Sequence, residues 1–236
     1  MIIGITGYKR HGKDTLGKYI VEMSNRERMP AVKIAFADPL KDIVIKGLLG
    51  INYYRIESDD EIKNSNTQVE KEQIKLLIKV IEETLEKYKL PRLRNRDIAV
   101  LEALAGLPLG TVYRKSLQIV GTDIFRNRNP NFWINLMEER LKNELLKKYH
   151  NVIVADIRFP NEAGVLKKIS NSNTVIIRIN RMALQNSDRH VSEQMVELVP
   201  HELYIDVGEG LDKVKEAAVW IWNTIKLMPA RYAIFA

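Results

Sequence analysis

The sequence predicts an α/β protein built on a doubly wound parallel sheet, and three observations carry that expectation. Short apolar, β-branched runs recur at residues 2–6, 31–36, 151–156, 173–180 and 201–206, the composition expected of strands covered on both faces. Stretches with helical spacing separate them, so none is placed to pair as a simple hairpin. The first run ends in a glycine-flanked turn, "GYKRHGK", which leads directly into a helical stretch.

Each element has its own justification. Ile2-Ile3-Gly4-Ile5-Thr6 reads as a strand that stops at Gly7, and over residues 13–28 Leu16, Tyr19, Ile20 and Met23 share one helical face. Ala31 to Phe36 is a second strand. Asp38 can cap a helix with Pro39 in its first turn, running to about Gly47. Residues 51–66 are polar without a clear period, after which Ile74, Leu77, Ile78, Ile81 and Leu85 line one face. Residues 51–112 therefore read as a mostly helical insertion into a core of residues 1–50 and 113–236, with "KLPRLRNRD" as a solvated basic loop. Two helical stretches follow Gly110. Asn129-Pro130 starts the second, Trp133, Met137, Leu141 and Leu145 form its stripe, and Lys147 and Lys148 suit its C-terminal end. "NVIVAD" and "NTVIIRIN" are buried-type strands, "HELYID" is a last one, and a helix runs from Leu211 to about Leu227.

Composition bounds the function. A chain of 236 residues, 45% hydrophobic, can bury a sizeable core, which weighs against a disordered or purely structural polymer. With 37 lysines and arginines against 30 acids, the formal charge of +7 favours anionic partners but does not separate nucleotides from nucleic acid. The absence of cysteine excludes a disulfide, a thiolate metal site and a cysteine nucleophile, and it suits a reducing cytosol. The apolar start is too short for a signal peptide, and no window has the roughly 18 apolar residues of a membrane span. The expectation is a soluble, cytoplasmic protein.

Gly7-Tyr8-Lys9-Arg10-His11-Gly12-Lys13 satisfies the first seven positions of the phosphate-binding pattern G-x-x-x-x-G-K-[ST]. Glycines let consecutive N–H groups aim inward, the following helix presents its positive end, and the lysine reaches the β- and γ-phosphates of a nucleotide. Gly7, Arg10, His11, Gly12, Lys13, Asp14 and Thr15 are thus the candidate ATP-binding residues. Asp14 stands where a hydroxyl is expected. Its carboxylate can hold Mg²⁺ with Thr15 as a second oxygen ligand, or it can simply face the helix dipole.

The remaining motifs narrow the class. No N-K-x-D stretch marks a GTPase, and "VIVAD" ends in a single acid followed by Ile157 and Arg158 rather than in an acidic pair. If that strand stays extended, Asp156 and Arg158 point the same way, and the Pro160-Asn161 turn returns Glu162 toward them. In a doubly wound sheet this is the crevice at the strand C-termini, on the side of the phosphate loop.

"GYKRHGKDT", "ADPLKD", "LQIVGTDIFR" with "FWINLM", "VIVADIRFPNEA" and "SDRHVSEQ" occur in that order, and together they resemble the deoxynucleoside monophosphate kinases of tailed bacteriophages. The resemblance leaves residues 51–112 largely uncovered. The family's loop itself carries aspartate after the lysine. The resemblance implies that Lys9, Leu40, Lys41, Arg114, Gly121, Thr122, Trp133, Asp156, Arg158 and Glu162 surround the monophosphate. Lys9, Lys41, Arg114 and Arg158 would neutralise its phosphate, and Trp133 would stack on or wall the base unless it is a core residue of its helix. Residues 181–195 resemble the lid of such kinases. There Arg181 or Arg189 would bridge the transferring group, and His190 would be either functional or a structural histidine.

The implied reaction is ATP plus a (deoxy)nucleoside monophosphate giving ADP and the diphosphate, with Mg²⁺ and with Lys13, Arg158, Arg181 and Arg189 as catalytic cations. Small nucleotides are the expected partners, with no membrane and no nucleic acid; a homodimer is open. Two rivals stand beside this reading. One is another small-metabolite kinase on the same fold, such as a phosphomevalonate kinase; the other is a nucleotide-dependent module that uses the basic loop on nucleic acid.

Overall fold

The computed structural model describes residues 1–53, 56, 59–170, 173–181 and 194–228. In chain order its elements are β1 (Ile2–Thr6), α1 (Lys13–Arg26), β2 (Ala31–Ile34), α2 (Asp38–Leu49), α3 (Asp60–Asn64), α4 (Lys71–Lys87), α5 (Asn95–Glu102), α6 (Leu109–Gln118), α7 (Phe132–Arg140), β3 (Asn151–Ile157), α8 (Pro160–Ser170), β4 (Thr174–Asn180), β5 (Leu203–Asp206) and α9 (Leu211–Leu227). The chain divides into two compact units. Met1–Phe36 with Ile134–Ala236 forms one, and Ala37–Trp133 forms the other.

The first unit holds a five-stranded sheet in the order β2-β3-β1-β4-β5, parallel at every pairing. This is the fold class the sequence predicts. β1 is central and buried along its whole length, and its alternate side chains feed two separate cores. Ile2 packs with Val152, Val154 and Ile176 beneath Met137, Leu141 and Leu166. Ile3 and Ile5 pack with Ile153, Ile177 and Ile179 beneath Leu16, Ile20, Val214 and Ile221. The period of two along the strand thus becomes helices on both faces. Each fully buried Ile or Leu contributes on the order of 2 kcal/mol from its removal from water.

β1 and β3 pair in register as far as Gly4 and Val154, then shift so that Thr6 faces Ile157. The Thr6 hydroxyl donates to the Ile157 carbonyl at 2.8 Å and satisfies both groups in a buried setting. The irregularity lies where both strands hand over to their functional loops.

Two segments have wide, i→i+5 turns that the sequence reading did not anticipate, Ile119–Arg126 after α6 and Leu141–Leu145 after α7. The second has a visible cause. A stripe spaced by four residues drifts around an ordinary helix of 3.6 residues per turn, and a wider turn brings it back into line.

The second unit is helical, and it is wider than the expected insertion because α2 packs on α4 and α6 within it. The "KLPRLRNRD" stretch is the expected solvated loop as far as Arg94, with Lys89, Arg92, Arg94 and Arg96 exposed, but its last residue, Asp97 in α5, is buried. Arg128, its side chain 7% exposed, pairs with Asp97 at 2.7 Å. It also donates to the carbonyls of Pro91, Arg92 and Ile124 at 2.8, 2.9 and 2.9 Å. Burial works against the charge on Asp97, but hydrogen bonds from Arg94 and Arg128 hold its carboxyl well below the usual carboxylate range. Replacing Arg128 with Met takes from the buried Asp97 carboxylate one of its two arginine donors and removes the cation that three carbonyls share. The expected loss is about 3 kcal/mol, read as a lower urea midpoint at unchanged slope; a loss below about 1 kcal/mol would show that Arg128 is not the pin.

Candidate active site

The loop after β1 bends through residues with left-handed backbones. Gly7 has φ of 150°, and a Cβ there would meet the Ile179 carbonyl oxygen at 2.4 Å. Gly12 has φ of 88°, and Arg10, at 68°, shares the same unusual region. Only glycine reaches the first two positions without strain. Gly12 precedes α1, and among the described residues no side chain caps that helix. Its first N–H groups and its positive end are therefore open to an anion.

Lys13 opens α1, yet only 7% of it is exposed. Its Nζ donates back to the Tyr8 carbonyl at 2.6 Å, across the loop. Burial, and then the Arg158 guanidinium, push the ammonium down to about 7 against a partial counterweight from Asp14 and Asp156. Arg158 is therefore an electrostatic neighbour of the loop lysine. Asp14 has a partner that neither sequence reading foresaw: its carboxylate is 2.6 Å from Lys33 Nζ, which comes from β2.

His11, 2% exposed, accepts the Arg181 backbone N–H on Nδ1 at 3.1 Å and sets its ring edge-on to Tyr8. Burial first, then Lys13 and Arg181, lower its pKa, so the ring is neutral at pH 7. The Tyr8 hydroxyl donates to Glu197, which also pairs with Arg178 at 2.7 Å. The Arg178 guanidinium lies 5.8 Å from the Tyr8 ring centre. The loop is thus tied to the end of β4 through His11, and through Tyr8 to the short helical turn Met195–Leu198.

At the end of β3, Asp156 accepts the Phe36 N–H at 2.7 Å. Glu162, 2% exposed, accepts the N–H groups of Arg158 and Phe159 at 2.9 and 3.2 Å. Glu162 does return to the strand end, where its carboxylate holds the backbone that carries Arg158. The first unit therefore gathers Lys13, Asp14, Asp156 and Arg158, with His11 and Arg181 beside them. Lys9 and Arg10 are exposed on the loop, and Thr15 is half-buried. Arg189, His190 and most of the expected lid lie outside the described residues.

The other candidates belong to the second unit. Lys41 Nζ stands 3.3 Å from the Tyr53 hydroxyl and 3.6 Å from Asp59. Arg114 donates to the carbonyls of Lys63 and Gly110 at 2.7 and 3.4 Å. Leu40 sits on Gly121, where a Cβ would come within 2.6 Å of its Cδ2, and Thr122 is half-buried. Trp133 is 4% exposed; its Nε1 donates to the Gly121 carbonyl at 2.9 Å, and its ring packs on Phe125 and Phe132. Of the two readings open for Trp133, the geometry matches the core residue.

Sequence reasoning missed Lys33, Arg178, Glu197, Asp59 and Lys63. Two of them carried a signal. Lys33 and Arg178 are lone cations inside apolar strands, "AVKIAF" and "TVIIRIN", where an unpaired charge is costly.

Comparison with known proteins bears on the same residues. The family described as Deoxynucleotide monophosphate kinase matches residues 110–217, a span that includes Arg114 and the Asp156 to Glu162 block. The "Putative deoxynucleotide monophosphate kinase" of Acanthamoeba polyphaga mimivirus is 26% identical over 202 residues, 82% of this chain and 80% of its own length. Joined to the phosphate-type loop and the parallel sheet that presents it, these likenesses indicate a phosphotransferase, similar to the deoxynucleotide monophosphate kinases.

Proposed function

We infer that the chain moves the γ-phosphoryl group of ATP onto a (deoxy)nucleoside monophosphate by in-line displacement, releasing ADP and the diphosphate. The observation that carries this reading is the electrostatic coupling of Arg158 to the buried Lys13, beside a helix start without a side-chain cap among the described residues. Donor phosphates suit the loop between Gly7 and Gly12, with Lys13 on the β- and γ-oxygens. Arg158 and the exposed Lys9 suit the acceptor phosphate, whose repulsion from the donor must be offset before the two meet. Glu162 holds the backbone that carries Arg158, and Asp156 holds that of Phe36. Among the described residues Arg181 is a further cation for the transferring group, being close enough to His11 to lower that ring's pKa.

No side chain need take a proton from the acceptor. A monophosphate with a second pKa near 6 is already mostly dianionic at neutral pH. Catalysis is then positioning and charge compensation. Among the described residues no group of three or more His, Asp or Glu side chains is placed to hold a metal. Asp14 and Thr15 nonetheless fit Mg²⁺, which takes one or two protein oxygens and completes its shell with phosphates and water. Bound there, the ion would supply positive charge at the β- and γ-phosphates. Among the described residues no helix is long and apolar enough to cross a membrane, and the cytoplasm is the proposed location.

The first test is a coupled ADP-release assay with ATP, Mg²⁺ and each common ribo- and deoxynucleoside monophosphate. Turnover is expected with at least one deoxynucleotide; phosphorylation of phosphomevalonate with no nucleotide accepted would replace this reading with the rival kinase. Salt-sensitive DNA binding without ADP release would favour the nucleic-acid module. Lys13→Ala should lower turnover by roughly 10³-fold or more and leave the circular dichroism spectrum unchanged, so retained activity sinks the assignment.

A second prediction follows from the lowered pKa of Lys13. Free Lys13 is mostly neutral at pH 8, because its pKa is about 7, and anionic phosphates raise it on binding. ATP binding at pH 8 should therefore take up about one proton, and binding at pH 6 much less. Calorimetry in buffers of different ionisation enthalpy measures the uptake. Equal uptake at both pH values, or uptake that persists in Lys13→Met, would assign the proton elsewhere.

A further inference from the structure

We propose that Tyr8, Arg178 and Glu197 form the anchor of the phosphate loop: Tyr8 is the positioning residue for Lys13, and the Arg178–Glu197 pair fixes Tyr8. The inference deepens the kinase reading at its donor side and rests on it.

The carbonyl of Tyr8 is where the loop closes on itself. It accepts the Lys13 ammonium at 2.6 Å and the His11 N–H at 3.2 Å. A shift of Tyr8 therefore moves both the lysine and the turn. Gly7 beside it brings no side chain to hold this backbone, and Lys9 and Arg10 are exposed. Tyr8 reaches back to the fold. Its hydroxyl donates to Glu197 Oε1, its ring centre lies 5.8 Å from the Arg178 guanidinium, and the His11 ring meets it edge-on at 5.4 Å. All of these residues belong to the first unit.

Arg178 is the unusual member. It stands between Ile177 and Ile179 in β4, in register with Thr6 at the end of β1, and is 8% exposed. A guanidinium in such a place is costly unless it is paired and hydrogen-bonded. It shares Glu197 Oε1 with the tyrosine hydroxyl, its Nη2 lying 2.7 Å away, and its Nη1 donates to the Glu197 carbonyl at 3.4 Å.

A purely structural role at position 178 would be served by an apolar side chain without desolvating a charge. The Glu197 side chain is 55% exposed, so water could solvate it without an arginine. What the pair adds is a fixed, ionised acceptor for the Tyr8 hydroxyl and a cation against its ring. Through Tyr8, that fixes the carbonyl on which the Lys13 ammonium rests before a nucleotide arrives. A loop ordered in advance loses less freedom when it closes around phosphates.

Calorimetric titration with ATP and Mg²⁺, without an acceptor, reads the anchor directly. Tyr8→Phe, which deletes one oxygen, should weaken ATP binding by about 10-fold. In steady-state assays it should raise the ATP KM similarly and leave the KM for a deoxynucleoside monophosphate within about twofold. Glu197→Ala should match Tyr8→Phe, and Glu197→Gln, which keeps an acceptor oxygen, should recover part of the loss. Because the hydroxyl and the carboxylate act as one unit, combining Tyr8→Phe with Glu197→Ala should weaken ATP no further than the worse single change. Arg178→Met should also weaken ATP; if it does not fold, the Tyr8 and Glu197 variants still decide. An unchanged ATP affinity in Tyr8→Phe, beside a wild type that binds ATP, overturns the anchor alone. Tighter binding does so as well, since it would mark the contact as a restraint on the loop. Losses that multiply in the double variant overturn the shared route. A wild type that binds ATP but phosphorylates no monophosphate overturns the acceptor assignment, and the anchor is then decided by the ATP titrations. One that binds no ATP overturns both.

Discussion

The organising constraint is the burial of one ammonium group inside a loop of backbone. Lys13 is nearly covered, rests on a carbonyl of its own loop, and faces a guanidinium rather than a close carboxylate partner. That is an unfavourable place for a cation in the free protein. It becomes favourable only when something anionic enters. The left-handed turns at Gly7 and Gly12, the open start of α1 and the hold of Glu162 on the Arg158 backbone all preserve that incomplete charge balance. The central position of β1 in the sheet supplies the rigidity.

Much of this was legible in the residues. Five strands, the two flanking helices α1 and α9, and the loop could be read because a parallel sheet leaves runs of β-branched residues and helices leave stripes, both of them local patterns. Glu162 returning to Arg158 was legible too, since a strand followed by a proline turn constrains the next few residues. The wide helical turns were not, because their hydrogen-bond register is chosen by packing. The extent of the second unit also escaped, as α2 looks like any amphipathic helix until α4 and α6 are seen to cover it.

Polar pairs between distant segments were the hardest to foresee. Arg128 and Asp97, Tyr113 and Asp59, and Arg178 and Glu197 each join residues whose spacing follows no period. Charge in the sequence reads as surface by default, and only the fold shows which charges are covered. For this reason the burial of Asp97 at the end of an exposed basic stretch was not legible, and neither was the packing of Trp133 on Phe125 and Phe132 with its indole N–H on the Gly121 carbonyl.

The pairing of Lys33 with Asp14 bears on how the free loop meets its surroundings. Because the counter-ion of Asp14 is covalently part of β2, its local abundance cannot vary with the medium. If Asp14 takes the proposed Mg²⁺, the ion arriving with a nucleotide competes against a tethered amine rather than filling a void.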